Sequence, residues 1–145
     1  MHSKDFPDSF FRTVTKGLYV KDGKILLVKE APHLANKWEL PGGGIGHGED
    51  PREALVREVK EELNLDVTYV SEQPVYVWTN RFEGCRGMDW YYSVVLAYKM
   101  ELANLDFTPT EEVVDLQLFS KEELTTLDLY HQSHKLREIF NPADF

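Results

Sequence analysis

The fold turns on residues 43–65, GGIGHGEDPREALVREVKEELNL, where a glycine-rich run meets an acidic one. Asp50 is a good helix N-cap, Pro51 suits the first helical position and Glu53 completes a capping box, so a helix is predicted from Pro51 to about Leu63. Asn64 can end it in the left-handed conformation. At about 100° per residue from Glu58, Glu61 falls near about 300° and Glu62 near about 40°, so three carboxylates share one face. Leu55, Val56, Val59 and Leu63 fall between about 60° and 160°, a separate apolar stripe for packing on a sheet. Like charges at these spacings oppose the helix by roughly 0.2 to 0.5 kcal/mol per pair. A divalent cation reverses that sign, because hard cations take oxygen ligands and carboxylates one turn apart can hold one. Alone, an acidic cluster beside Arg57 and Lys60 reads more simply as a solvated face with surface pairs. The neighbouring loop changes that reading.

Upstream, residues 31–48 hold Pro32, Pro41 and five glycines, a density that breaks regular structure and leaves backbone groups accessible. Before it, 13–30 reads as a hairpin, its apolar runs joined by Asp22-Gly23, a dipeptide suited to a type I′ turn. Downstream, strands are expected at 67–79, 90–100 and 113–119, with a polar connection at 80–89. Ser120 with Glu123 forms a capping box for a short helix, and an amphipathic helix is expected over 130–140. Strands and helices interleave without a regular βαβ rhythm, which favours an α+β arrangement, a mixed central sheet flanked by helices.

At 145 residues, 42% hydrophobic and 28% charged, the chain can bury a core and reads as one domain over 1–145. Its net charge of −9 repels nucleic-acid duplexes and anionic membranes. The longest nearly apolar run, 91–98, falls far short of the roughly 18 residues a membrane helix needs. The opening MHSKDFPDSF lacks a signal peptide's apolar segment. A single cysteine, Cys85, forms no internal disulfide and fits a reducing, cytoplasmic setting.

The stretch resembles the signature of the Nudix (MutT-like) hydrolases: Gly, five residues, Glu, seven residues, then Arg-Glu-aliphatic-any-Glu-Glu-any-Gly-aliphatic. Here it reads Gly43, Glu49, then Arg57-Glu58-Val59-Lys60-Glu61-Glu62-Leu63-Asn64-Leu65. Only the final glycine departs, as Asn64, a residue that tolerates the same left-handed turn. The preceding Trp38–Gly44, WELPGGG, is also similar to the family's, whereas Gly46 and His47 replace the acid and proline common in relatives. The resemblance implies an α/β/α sandwich and a pyrophosphohydrolase that cleaves a nucleoside diphosphate linked to another group, with Mg²⁺ or Mn²⁺ and an attacking water. It implies Glu58, Glu61, Glu62 and the Gly43 carbonyl as metal ligands, and Arg57 as the residue orienting them, with Glu49 in the same network. The general base in relatives lies within the signature or on a later loop, here 108–112, where Glu112 is favoured over Glu111.

The substrate's base is expected to stack on an aromatic face. Trp78, Phe82, Trp90 and Tyr91 surround the 80–89 connection, with Arg81 and Arg86 for phosphate, and Trp38, Arg81 and Trp90 are the chosen substrate-binding candidates. Trp38 equally suits a staple closing the glycine loop. His131 and His134 are explained by the terminal helix. A small soluble nucleotide, such as a triphosphate, a dinucleoside polyphosphate or a nucleotide sugar, is the expected partner, and a homodimer is compatible with the chain. A non-catalytic nucleotide sensor on the same fold is the alternative, against which the intact acids argue.

Overall fold

The computed structural model describes residues 11–84 and 90–145. In chain order its strands are β1 (Phe11–Leu18), β2 (Val20–Lys21), β3 (Lys24–Glu30), β4 (Trp38–Glu39) and β5 (Gly42–Gly44); then come α1 (Pro51–Leu63), β6 (Val67–Val70), β7 (Tyr76–Glu83), β8 (Trp90–Leu102) and β9 (Val113–Phe119). The chain closes with α2 (Lys121–Leu124), a 3-10 turn (His131–Ser133), α3 (Leu136–Ile139) and a second 3-10 turn (Pro142–Asp144). The connection expected at 80–89 is thus partly strand, and Cys85 and Arg86, like the opening MHSKDFPDSF, lie outside the described residues.

The Asp22-Gly23 turn forms, with φ of 52° and 78°, as a type I′ turn requires. The hairpin it closes is short, pairing only Val20 with Ile25 and Lys21 with Lys24. β1 instead leaves to run parallel to β8, from Phe11 opposite Tyr92 to Leu18 opposite Lys99. The reason lies in β1's own residues: Val14 to Leu18 are all buried, and a two-stranded ribbon cannot cover both faces of a strand.

Two sheets result. In the first, β5 pairs antiparallel with β1, β1 parallel with β8, and the far edge of β8 takes both β7 and β6. The expected strand at 67–79 therefore splits at 71–75 around Pro74, which has no N–H to donate to a ladder. In the second, antiparallel sheet, β3 lies between β9 on one edge and β2 and β4 on the other. One apolar cluster joins Leu55, Val59 and Leu63 of α1 to Tyr98 and Met100 of β8. The other joins Trp78 and Val95 to Ile25 and Leu27 and is closed by Leu136 and Phe140. The mixed sheet thus has helices on both sides, as the pattern of elements suggested.

Two further expectations need correction. The 31–48 segment contains β4 and β5 as well as loop. The triple glycine forms a strand because β5 lies hard against β1: a side chain on Gly42 would overlap the Thr15 carbonyl oxygen. The helix expected over 130–140 is broken into a 3-10 turn and the single turn of α3. Gln132 lends its carbonyl to the Trp78 indole N–H at 2.9 Å, and Ser133 Oγ accepts from the Leu40 N–H at 3.5 Å, so this segment serves its neighbours before its own ladder.

Candidate active site

α1 begins as its sequence dictates, with the Asp50 carboxylate accepting from the N–H groups of Arg52 and Glu53. The reciprocal Glu53 bond is absent among the described residues, whereas the Ser120 and Glu123 box at α2 has both arms. At the other end Asn64 takes φ 54° and ψ 34° and its N–H returns to the Lys60 carbonyl.

Arg57 organises the acidic face. Its Nε donates to Glu49 Oε2 at 2.8 Å and its Nη2 to Glu49 Oε1 at 2.9 Å, a two-bond clamp that ties the loop to the helix. Nη1 reaches Glu58 Oε1 at 3.1 Å and Glu61 Oε2 at 3.1 Å, and Nη2 also donates to the Gly44 carbonyl at 3.2 Å. The guanidinium hydrogen bond holds the Glu49 carboxyl down at about 2, with help from the Gly46 N–H. Glu62 faces inward instead, accepting weakly from the Gly42 N–H at 3.4 Å. Burial pushes its carboxyl well above the usual range, Glu39 and Glu58 add to the rise, and Lys16 opposes it.

β5 separates two compartments. It is an edge strand among the described residues, paired only with β1, so consecutive glycines present opposite sides. A side chain on Gly43 would come within 2.8 Å of the Glu58 carboxylate, whereas one on Gly44 would overlap the Arg12 guanidinium. On the Gly44 side lies a cavity of about 220 Å³, whose wall includes Phe82, Tyr91, Tyr130 and Gln132. Phe82 and Tyr91 are near-parallel, 16° between planes with centroids 6.2 Å apart, and the His131 ring lies 3.7 Å from that of Phe82. Lys16, Glu30 and Glu39 also line the cavity. Lys16 is buried, donating to the carbonyls of Leu40 at 3.2 Å and Gly42 at 3.1 Å, with Glu39 at 3.8 Å. Burial, with Glu39 adding and Lys16 opposing, raises the Glu30 carboxyl to about 7, and its Oε1 is buried with no hydrogen-bond partner among the described residues. A larger groove of about 390 Å³ lies between α1 and β6, where Asp50 is spent on the helix cap and Arg52 on the Val70 carbonyl.

The structure brings Arg57, Glu58, Glu61, Glu62 and Gly43 together. Glu112 is exposed on the loop before β9, and its carboxylate has no partner among the described residues. The backbone of that loop is fixed beside α1, since Thr110 Oγ1 donates to the Glu62 carbonyl at 3.0 Å. Trp38 is seated in the core, edge-on to Phe119 with centroids 4.9 Å apart, away from the cavity wall. Arg81 stacks on Trp90, 4.5 Å from its ring centre. Strand alternation puts both on the face opposite their neighbours Phe82 and Tyr91, which line the cavity. The sequence reading passed over Arg12, Lys16, Glu30, Glu39, Tyr130 and Gln132. The signal for the first two was available: Arg12 and Lys16 stand four residues apart in a strand, an even spacing that puts both on one face of β1.

Glu58, Glu61 and Glu62 with the Gly43 carbonyl could supply an all-oxygen donor set for Mg²⁺ or Mn²⁺, and the Glu58 carboxylate lies so near Gly43 that a side chain there would stand 2.8 Å from it. Among the described residues no three His, Cys, Asp or Glu side chains converge into a ready cage, since Arg57 draws Glu58 and Glu61 to itself.

The family model of the NUDIX domain matches residues 11–139, and the chain belongs to the Nudix family, as a hydrolase acting on phosphoric anhydrides. It is 32% identical over 127 residues to the nucleoside triphosphatase NudI of Enterobacter sp. (strain 638), covering 81% of this chain and 88% of that protein. A shorter likeness, 45% over 56 residues, covers 37% of the chain and 40% of a putative 8-oxo-dGTP diphosphatase 2 of Mycobacterium tuberculosis. Among solved structures, the MutT NUDIX hydrolase of Burkholderia pseudomallei is similar in fold, with a TM-score of 0.67 at 24% identity over 92% of this chain and all of that one. The E. coli ORF135 protein gives a TM-score of 0.66 at 29% identity, covering 88% of this chain and 86% of that one.

Proposed function

We propose that the chain, acting as one catalytic domain, is a metal-dependent pyrophosphohydrolase for a small nucleotide, with a nucleoside triphosphate the first substrate to try. The observation that carries this is β5: one bare strand has the carboxylates of α1 on one side and an aromatic cavity on the other. A nucleotide has the same two halves, a flat base and an anionic anhydride. The likeness to a nucleoside triphosphatase over most of the chain supports the same reading.

In this reading Glu58, Glu61, Glu62 and the Gly43 carbonyl hold Mg²⁺ or Mn²⁺. The ion supplies charge neutralisation at the phosphoryl oxygens and lowers the pKa of the water that attacks phosphorus. Arg57, itself fixed by Glu49, orients Glu58 and Glu61 so that they need not reorganise on binding. Phe82 and Tyr91 stack against the base, and Gln132 offers its amide to the base edge. Glu112, brought beside α1 by the Thr110 bond, is the proton acceptor to test first outside the helix. A nucleotide substrate also fits the cytoplasmic setting expected from the single cysteine.

The test is chromatographic product analysis of nucleoside triphosphates, ADP-ribose, nicotinamide dinucleotides and dinucleoside polyphosphates, with Mg²⁺ or chelator, for wild type, Glu62→Gln and Glu112→Gln. Metal-dependent cleavage that Glu62→Gln abolishes is the expected result. Nucleotide binding without turnover would replace the hydrolase with a sensor. A Glu112→Gln variant as fast as wild type would remove Glu112 from the chemistry.

A further inference from the structure

The cations around β5 are almost all committed. Arg57 gives its donors to Glu49, Glu58, Glu61 and the Gly44 carbonyl. Lys16 is buried on two carbonyls. Arg81 lies on Trp90, and Arg52 on the Val70 carbonyl. Arg12 differs. It is half-buried in the cavity wall, and its guanidinium has no hydrogen-bond or ion-pair partner among the described residues. It lies across Gly44, in space that any side chain there would take.

That position is specific. Gly43 backs onto Glu58 and Gly44 onto Arg12, so about 3.8 Å of backbone separates the residues that face the carboxylates and the free guanidinium. A phosphate chain running from the cavity to α1 has to cross this edge of β5. There it meets a planar, permanently charged fork of donors, in a chain whose net charge of −9 otherwise repels it.

We infer that Arg12 is the substrate-binding residue that grips the polyphosphate chain where it crosses β5, and that Gly44 is bare in order to seat it. The inference rests on the proposed function for its substrate, but it can be tested apart from catalysis. Inorganic tripolyphosphate carries the relevant charge with no base, so its calorimetric titration at fixed Mg²⁺ and ionic strength isolates this contact. Arg12→Gln is expected to weaken binding about tenfold or more. Arg12→Lys restores only part of it, because an ammonium lacks the fork. Gly44→Ala, which leaves Arg12 present but displaces it, weakens binding in the same direction and guards against a folding defect in the Arg12 variants. With a substrate that turns over, Arg12→Gln raises KM while kcat stays within about twofold, a split that general loosening of the fold does not produce. Equal tripolyphosphate affinity in wild type and Arg12→Gln overturns the inference, as does a wild type that binds no tripolyphosphate. Failure of the proposed function looks different: tripolyphosphate binds through Arg12, yet no nucleotide is cleaved.

Discussion

Arg57 and Glu49 are joined by two hydrogen bonds of 2.8 and 2.9 Å across eight residues of chain, so the glycine loop and α1 are tied together at that point. Glu49→Gln keeps the shape but removes the charge that fixes Arg57. The expected result is a fall in kcat/KM of about 10–100-fold, with a higher Mg²⁺ requirement. Because Arg57 holds the Glu49 carboxyl at about 2 against 4.5 for a free one, the pair's contribution to stability is present above pH 4.5 and lost as pH falls toward 2. Thermal melts of the two proteins therefore converge on acidification.

Gly43→Ala separates the proposed metal site from the fold. The backbone there accepts an L residue, but the new methyl would stand within 2.8 Å of the Glu58 carboxylate, a flexible group that can swing aside. The variant is expected to melt close to wild type while losing at least about tenfold in metal-dependent rate. A normal Mg²⁺ titration curve for Gly43→Ala would refute the placement of Glu58 as a ligand.

Glu30 gives a pH signature. Its carboxyl is raised to about 7, so between about 4.5 and 7 the folded chain keeps a proton that the unfolded chain has lost, and stability falls as pH rises through that window. Glu30→Gln lacks this penalty. Its melting temperature is expected to match wild type near pH 4 and to exceed it by a few degrees at pH 8. Melting curves that stay parallel across this range would show that Glu30 titrates normally.

Asn64 stands where the family pattern has glycine, with φ 54°. Asn64→Ala is expected to cost about 1 kcal/mol, because an alanine in the left-handed region lacks the local polar compensation of Asn. Asn64→Gly is expected to leave stability nearly unchanged. Urea denaturation of the pair resolves the difference, and equal losses would point to a side-chain role for Asn64 instead.

The acidic face of α1 was legible because capping residues and 3.6-residue periodicity are local, and Asp50 and Asn64 sit at the helix ends they advertise. The destination of β1 was not. Its hairpin turn is a local signal and formed, but its parallel pairing with β8, some eighty residues away, is decided by burial that no short window contains. The same limit explains the aromatic cavity. Phe82 and Tyr91 face it while Arg81 and Trp90 face away, a matter of strand register. Trp38 looked available beside the glycines and is instead held by Phe119 from β9.

The bare strand β5 also bears on how such a protein changes over time. Residues behind Gly44 come from β1, β3, β4, β7, β8 and the segment before α3, whereas the carboxylate behind Gly43 comes from α1. On the proposed function, substitution at Phe82, Tyr91 or Gln132 alters what is selected and leaves the α1 carboxylates in place. One hydrolytic engine can thus be refitted to new nucleotides by substitutions that never touch it.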